Sequence, residues 1–236
     1  MRLNTSALRS RLLLAAALAC ACAGAAPAQQ AGRIDINALT EETQKTLPDP
    51  DRMTLVWWIP EQFWHATLAQ DPTTSKAQAD AFIRTVSPYV MFVVVDGKIG
   101  AFGGVTYKTE DAIRGAIQVV DARGVAHRPL GREKIDADTL NLLMAMKPIL
   151  ASMMGRMGEN MHFVLFPAKD AAGRRLADPA QEGALALKLG ENSFRWKLPL
   201  GSVLPPKTCP VDGERMSGAW KFCPWHGEKL APGADK

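Results

Sequence analysis

Two short stretches near the C-terminus of this 236-residue chain repeat each other, and each contains a cysteine followed by a proline. Residues 207–214 read KTCPVDGE and residues 221–228 read KFCPWHGE, so five of eight positions are identical at a spacing of 14 residues. Ser217-Gly218, between them, is typical of a hairpin turn. Cysteines 14 residues apart are not a redox Cys-x-x-Cys pair. The pattern predicts a small hairpin in which the cysteines have a structural role.

The two stretches resemble the knuckles of a zinc ribbon, which read Cys-Pro-x-Cys-Gly. The resemblance covers about residues 207–230 and does not extend to the chain before them. The first ligand of each knuckle is kept as Cys209 and Cys223, and the second cysteine is replaced by Asp212 and by His226. Because tetrahedral zinc accepts thiolate, imidazole and carboxylate ligands, the resemblance implies a structural zinc site with these four ligands.

The same resemblance leaves a disulfide between Cys209 and Cys223 as an alternative, because knuckle cysteines that share a metal have neighbouring sulfur atoms. In an oxidising compartment the link would enclose 15 residues and contribute roughly 3 kcal/mol by the loss of chain entropy. Asp212 and His226 would then have no ligand role. Free thiols are the third interpretation.

A run of methionines is the second candidate for metal chemistry. Six of the ten methionines lie between residues 144 and 161, and Met153, Met157 and Met161 repeat every four residues, with His162 next. Soft thioethers bind Cu(I), so these residues could form a soft-metal cluster. The spacing is also that of a helix stripe packed on a core, which is the preferred interpretation. An adaptable apolar binding surface is the remaining one.

Signals for catalysis are weak. The chain contains no H-E-x-x-H, G-x-S-x-G, Walker A or dinucleotide-binding motif. His65 and His127 stand without a partner motif. The aromatic run from Trp57 to His65 suits either a binding surface or, as we expect, the core. Any active site would have to combine residues that are distant in sequence.

The N-terminus is typical of a secretory signal peptide over residues 1–28. Three arginines precede an apolar run from Leu12 to Ala23, and Ala26-Pro27-Ala28 is a small-x-small cleavage site. A retained membrane anchor would need about 20 apolar residues, and a lipid anchor on Cys20 or Cys22 fits poorly, because no leucine lies three residues before either. We therefore predict a periplasmic or extracellular protein with no transmembrane segment after removal of the signal.

Removal of the signal also changes the charge. The chain has 28 Lys+Arg and 24 Asp+Glu, and the signal holds three of the arginines and no acid, so the mature net charge is 25 − 24, or +1. Without a long basic run, nucleic-acid binding is not expected. An envelope protein is the partner we consider.

The hydrophobic pattern predicts about seven strands and three helices, most of them joined by short turns. Strands are expected at 53–59, 89–95, 98–107, 114–121, 162–166, 184–189 and 194–198, with Asp96-Gly97 as a hairpin turn. Helices are expected at 61–70, 75–86 and 138–157, with Pro148 as a kink, and a short one at 35–45.

These elements predict an α+β fold, mainly an antiparallel sheet or sandwich, with a small C-terminal hairpin resembling a zinc ribbon. The predicted divisions are a signal (1–28), a loose N-terminal arm (29–52), a main domain (53–200), a Pro-rich connector (201–206), the hairpin (207–230) and a tail (231–236). The expected function is that of an exported, non-enzymatic binding or envelope-associated protein. The alternatives are a periplasmic metal-handling protein for copper or zinc, and a hydrolase with a dispersed active site.

Overall fold

A computed structural model describes residues 34–233 of the chain. The predicted signal peptide with Cys20 and Cys22, the start of the N-terminal arm and the end of the tail lie outside the described residues. The described residues contain five α-helices: α1 (Ile36–Thr43), α2 (Glu61–Gln70), α3 (Lys76–Val86), α4 (Glu110–Ala116) and α5 (Ala137–Met153). Short 3₁₀ helices are Arg132–Lys134, Gly155–Asn160 and Gly201–Val203.

Twelve strands are found in the same part of the chain. They are β1 (Gln44–Thr46), β2 (Arg52–Ile59), β3 (Tyr89–Ile99), β4 (Val105–Tyr107), β5 (Ile117–Val120), β6 (Ala126–His127), β7 (His162–Pro167), β8 (Gly183–Leu189), β9 (Asn192–Leu198), β10 (Lys207–Thr208), β11 (Arg215–Met216) and β12 (Ala231–Pro232). All paired strands among them are antiparallel, and they form three sheets.

The first sheet is built around β3, which is buried along most of its length. Strands β1, β2 and β3 are neighbours in that order, and the other side of β3 pairs with β7 near its start and with β4 near its end. A strand with helices and sheet on both faces needs a continuous apolar run, and Val90–Val95 supplies it.

The second sheet has the order β6-β5-β8-β9, and its burial alternates as expected for a sheet with one solvated face. Trp196 of β9 lies on the buried face and joins the two sheets. Its ring contacts Trp58 of β2 at 6.1 Å and Phe92 of β3 at 5.7 Å between centroids. The predicted α+β class with mainly antiparallel sheets is therefore confirmed.

Local signals in the sequence locate several helix starts correctly. Ser75 caps α3 in a capping box with Gln78, and Pro60 directly precedes α2 as predicted. Asp35 caps α1 by accepting hydrogen bonds from two backbone amides. Residues 36–46, assigned from sequence to the N-terminal arm, thus form α1 and β1, and Leu39 is fully buried.

The predicted hairpin turn at Asp96-Gly97 is wrong, because β3 runs through both residues. Asp96 is 1% exposed and faces Arg52 and Thr54 of β2, while Gly97 lies so close to β4 that an added Cβ would be 2.7 Å from Val105 Cγ1. The turn comes later, at Gly100–Gly104, where Gly103 has φ 79°. A strand glycine at a close approach was mistaken for a turn glycine.

Two other predicted elements differ from the structure. The strand expected at 114–121 begins only at Ile117, because Thr109 caps helix α4 before it and Ile113 anchors that helix in the core. Helix α5 continues through Pro148 but ends at Met153, not at Met157, and Gly155 with φ 58° lies in a 3₁₀ segment after it.

The buried Asp96 carboxylate lies between two cations. Arg52 Nη2 and Lys108 Nζ are each 2.7 Å from its oxygens, and Thr54 Oγ1 donates to it at 2.9 Å. Burial raises the pKa of Asp96, but the hydrogen bonds from Lys108, Arg52 and Thr54 outweigh burial and hold the pKa below its ordinary value. A lowered pKa means that the ionised carboxylate stabilises the fold.

We expect Asp96→Asn to lower the free energy of unfolding at pH 7 by about 1–3 kcal/mol, less than for a fully buried ion pair because both cations reach solvent. The stabilisation is present above the unfolded-state pKa of about 3.9 and is lost as the pH falls through the lower folded pKa. The gap between variant and wild type should therefore shrink below that pH, as measured by urea unfolding at pH 7 and pH 3. Asp80→Asn, at an exposed pair with Lys76, is the control and should change little; a pH-independent gap would contradict the prediction.

Candidate metal centre

The C-terminal module, defined here as residues 207–232, is a three-stranded sheet with two loops. Strand β10 lies between β11 and β12, and Phe222 and Lys229 form a further antiparallel bridge. The first repeat forms the loop between β10 and β11, and the second forms the loop closed by the Phe222–Lys229 bridge. The repeated sequence thus produces two hairpin loops in one small sheet.

The two loops have the same backbone hydrogen bonds. In the first, Cys209 N donates to Glu214 O at 2.9 Å and Gly213 N donates to Cys209 O at 2.9 Å; in the second, Cys223 N donates to Glu228 O at 2.8 Å and Gly227 N donates to Cys223 O at 2.9 Å. Both glycines have positive φ, 75° and 70°, which only glycine adopts without strain. The five identical positions therefore encode one loop geometry twice.

Both loops direct their cysteine to a common point beside His226. The distance from His226 Nδ1 to Cys209 Sγ is 3.4 Å and to Cys223 Sγ is 3.5 Å. The three ligand atoms all lie within 4.8 Å of one another, and the sulfurs are not bonded to each other. Cys209, Cys223 and His226 therefore form a group that could hold a metal ion.

Asp212, the fourth residue implied by the zinc-ribbon resemblance, lies next to this group. Its Oδ2 is 3.7 Å from His226 Nδ1, and its Oδ1 accepts a hydrogen bond from Glu214 N at 2.9 Å. That hydrogen bond, followed by one with the Cys209 thiol, lowers the pKa of Asp212. The carboxylate is thus ionised at neutral pH, with one oxygen fixed in its loop and the other beside the imidazole.

Backbone amides surround the two sulfur atoms in the same way. Burial raises the pKa of the Cys209 thiol, and hydrogen bonds from the amides of Val211 and Asp212 offset this effect only in part. Burial also raises the pKa of Cys223, but hydrogen bonds from the amides of His226 and Trp225 and from the His226 ring outweigh burial and lower it. Amides aimed at sulfur stabilise thiolates, the form that binds metal.

The module has almost no apolar core of its own. Its buried cluster consists of Cys209, Met216, Cys223 and Leu230, so half of the cluster is the cysteine pair itself. A sheet of two-residue strands with such a core needs a further constraint, such as a metal or a disulfide, to stay folded.

The module is held against the main part of the chain by the connector before it. The Glu42 carboxylate of α1 accepts hydrogen bonds from Gly201 N at 2.8 Å, from Ser202 N at 3.0 Å and from Ser202 Oγ at 2.6 Å. An added Cβ at Gly201 would lie 2.0 Å from Ser217 Oγ of the module. Residues 201–206 are therefore packed between α1 and the module.

The predicted soft-metal residues lie on three different elements. Met153 ends α5 and is 73% exposed, Met157 lies half-buried in the following 3₁₀ helix, and Met161 is fully buried just before β7. Burial, followed by the charge of Lys147, lowers the pKa of His162, the first residue of β7. The four-residue spacing therefore does not correspond to one helix stripe.

The aromatic run and the single histidines have structural surroundings. Trp57, Trp58, Phe63 and Trp64 are all buried, as expected for core residues. His65 is exposed and lies 3.2 Å from Glu61, one helical turn away. His127 Nε2 is 3.1 Å from Asp121 Oδ2, and the same buried carboxylate also accepts from the amides of Arg123 and Val125. Asp121 thus organises a turn.

Sequence reasoning missed the exposed apolar side chains of the module. Val211, Trp220, Phe222 and Trp225 are between 46% and 73% exposed. The signal was present in the repeat, because Trp225 and Val211 occupy the variable position after each proline, where a loop knuckle tolerates any side chain.

Comparison of the chain with known protein families, with characterised proteins and with solved structures finds no match. Among residues 34–233, no helix has both the length and the apolar character needed to cross a bilayer.

Proposed function

We propose, from the geometry alone, that this chain is an exported, non-enzymatic binding protein whose C-terminal module is held together by one structural zinc ion. The observation that carries the proposal is the convergence of Cys209, Cys223 and His226 from two matching loops. Zinc–sulfur and zinc–nitrogen bonds of about 2.3 and 2.0 Å at tetrahedral angles separate the two ligand atoms by about 3.6 Å. The observed nitrogen–sulfur distances are 3.4 and 3.5 Å.

The set of donor atoms favours zinc in a structural role. Two thiolates, an imidazole and the Asp212 carboxylate fill a tetrahedral shell and leave no position for a substrate. The ion would neutralise two thiolates in a nearly core-free sheet and so supply the constraint that the module lacks. Zinc needs no change in oxidation state there, and the surrounding residues only orient the ligands.

The proposed binding role and location are supported by different observations. The N-terminal 28 residues have the order of a secretory signal. The His127–Asp121 pair, which a dispersed hydrolase site could use, is committed to a turn with Arg123 and Val125. Exported metal handling remains the second candidate, because Met153 presents an exposed thioether.

Elemental analysis of protein purified from its exported compartment tests the proposal directly. We expect one zinc per chain, a mass unchanged by thiol reductants after metal removal, and an N-terminus near Gln29. A gain of two hydrogens on reduction would establish the disulfide and contradict the zinc site. A mature chain that keeps residues 1–28 would contradict export.

Copper titration separates the second candidate from the first. With zinc in place, we expect no stoichiometric Cu(I) binding that depends on Met153 and Met157. Loss of such binding in Met153→Leu/Met157→Leu, with Met91→Leu as a buried control, would instead favour metal handling.

A further inference from the structure

Exposed apolar side chains are concentrated in the C-terminal module. Of the nine large apolar side chains exposed among the described residues, four belong to the module: Val211 at 59%, Trp220 at 46%, Phe222 at 59% and Trp225 at 73%. Two tryptophans and a phenylalanine in contact with water within six residues are costly for a soluble surface. A surface of this kind indicates an interaction site.

The loop geometry turns these side chains outward. Val211 and Trp225 have the same place in the two loops, and their amides donate to the Cys209 and Cys223 sulfurs. Each amide is thus directed at the metal group while its side chain projects into solvent. The position of Trp225 is therefore fixed by the same cysteines that form the proposed zinc site.

Lysines are interleaved with the aromatic residues. Lys221 lies between Trp220 and Phe222, and Lys229 pairs with Phe222 across the antiparallel bridge, so Phe222 and Lys229 are cross-strand neighbours. Both lie next to a buried residue, Cys223 and Leu230 respectively. The Lys221 ammonium has only a loose, exposed contact with Glu182 at 3.7 Å.

The module as a whole has a positive surface. It contains Lys207, Arg215, Lys221 and Lys229 against Asp212, Glu214 and Glu228, and Asp212 faces His226 in the metal group. With the carboxylate of Asp212 directed at the metal group, four basic side chains face two acidic ones. An anionic partner complements this surface.

We propose that this surface binds the interface of an anionic lipid bilayer. Trp225, Phe222 and Trp220 would enter the region between headgroups and acyl chains, where tryptophan is favoured, and Lys221 and Lys229 would contact anionic headgroups. The aromatic side chains project rather than line a groove, which suits a fluid surface better than a small ligand, for which sites are concave. The proposal rests on the zinc-held module of the proposed function.

Co-sedimentation of the zinc-loaded chain with vesicles tests the proposal. We expect binding to phosphatidylcholine vesicles that contain phosphatidylglycerol, weaker binding without it, and loss of binding at high salt. Phe222→Ser/Trp225→Ser should bind at least about tenfold more weakly, because less apolar area is removed from water. The matched control is Phe102→Ser, which removes a more exposed phenylalanine from the β3–β4 turn.

Charge reversal provides the second arm. Lys221→Glu/Lys229→Glu should reduce binding to anionic vesicles, whereas Lys188→Glu/Lys197→Glu, on exposed positions of β8 and β9, should not. Zinc is measured in every variant. Trp220→Ser, outside both loops, replaces the double aromatic variant if that variant loses zinc.

The outcomes separate the two proposals. Zinc present without vesicle binding, or binding that is unaffected by the aromatic variants, overturns the membrane surface alone. Vesicle binding in a chain that never holds zinc overturns the proposed metal centre and leaves the surface standing. Binding to an acidic polypeptide but not to vesicles, with the same dependence on the variants, assigns a protein partner and overturns the membrane proposal.

Discussion

Cys223→Ser is expected to abolish zinc binding, with the metal content of the purified chain falling from about one ion to near zero. The substitution removes one of two thiolates from a shell of four protein ligands. Apparent binding energies of structural zinc sites are about 10–16 kcal/mol, so the loss of a thiolate exceeds what the rest of the module can restore. Serine keeps the size of the side chain, and the effect therefore reports on the ligand.

The module should unfold locally in this variant while the main sheets stay folded. Its buried cluster is Cys209, Met216, Cys223 and Leu230, which is too small to hold three two-residue strands. Hydrogen exchange should therefore become fast at the amides of Cys209, Gly213, Cys223 and Gly227, which are hydrogen-bonded within the two loops. Amides of β3 and β8 should keep their protection.

A pair of histidine variants controls for general destabilisation. His226→Gln should weaken zinc binding strongly, whereas His127→Gln, which also loses a contact with an aspartate, should leave the zinc content unchanged. Stoichiometric zinc with unchanged affinity in Cys223→Ser would refute the metal centre. A wild-type chain that unfolds locally on reduction, without bound metal, would point to the disulfide.

Trp196→Ala is expected to lower the free energy of unfolding by about 3–5 kcal/mol, the range for a buried aromatic residue replaced by alanine. Trp196 is 1% exposed and lies between Trp58 and Phe92, one from each of two strands of the other sheet. Its Nε1 also donates to the Thr43 carbonyl at 2.9 Å, at the end of α1. The variant therefore loses packing between the sheets and leaves a buried acceptor without its donor.

Urea unfolding followed by far-UV circular dichroism measures the effect. Trp196→Phe should lose less, because most of the ring contacts remain and the hydrogen bond is the main loss. Trp220→Ala, which removes an exposed tryptophan, should stay within about 0.5 kcal/mol of wild type for the main transition. A loss below about 1 kcal/mol for Trp196→Ala would mean that the two sheets do not share one core.

Elements with strong local signals could be predicted from the sequence. The capping box at Ser75, the proline before α2 and the apolar alternation of β8 and β9 depend on residues next to one another, and the structure agrees with all three. The turn at Asp96-Gly97 failed because the partners of Asp96 are 42 and 44 residues away at Thr54 and Arg52. A buried ion pair between distant residues gives no local signal.

The sequence by itself determined the two loops of the module, because proline, glycine and the duplicated spacing specify a hydrogen-bonded turn from within eight residues. It also pointed, through a resemblance, to every residue of the metal group. Only the tertiary structure decided that both sulfurs face His226, that the tryptophans of β2 and α2 are core while those of the module are exposed, and that Glu42 fastens the connector. These outcomes depend on which surfaces meet after folding, and solvent exposure and ligand convergence are properties of that packing.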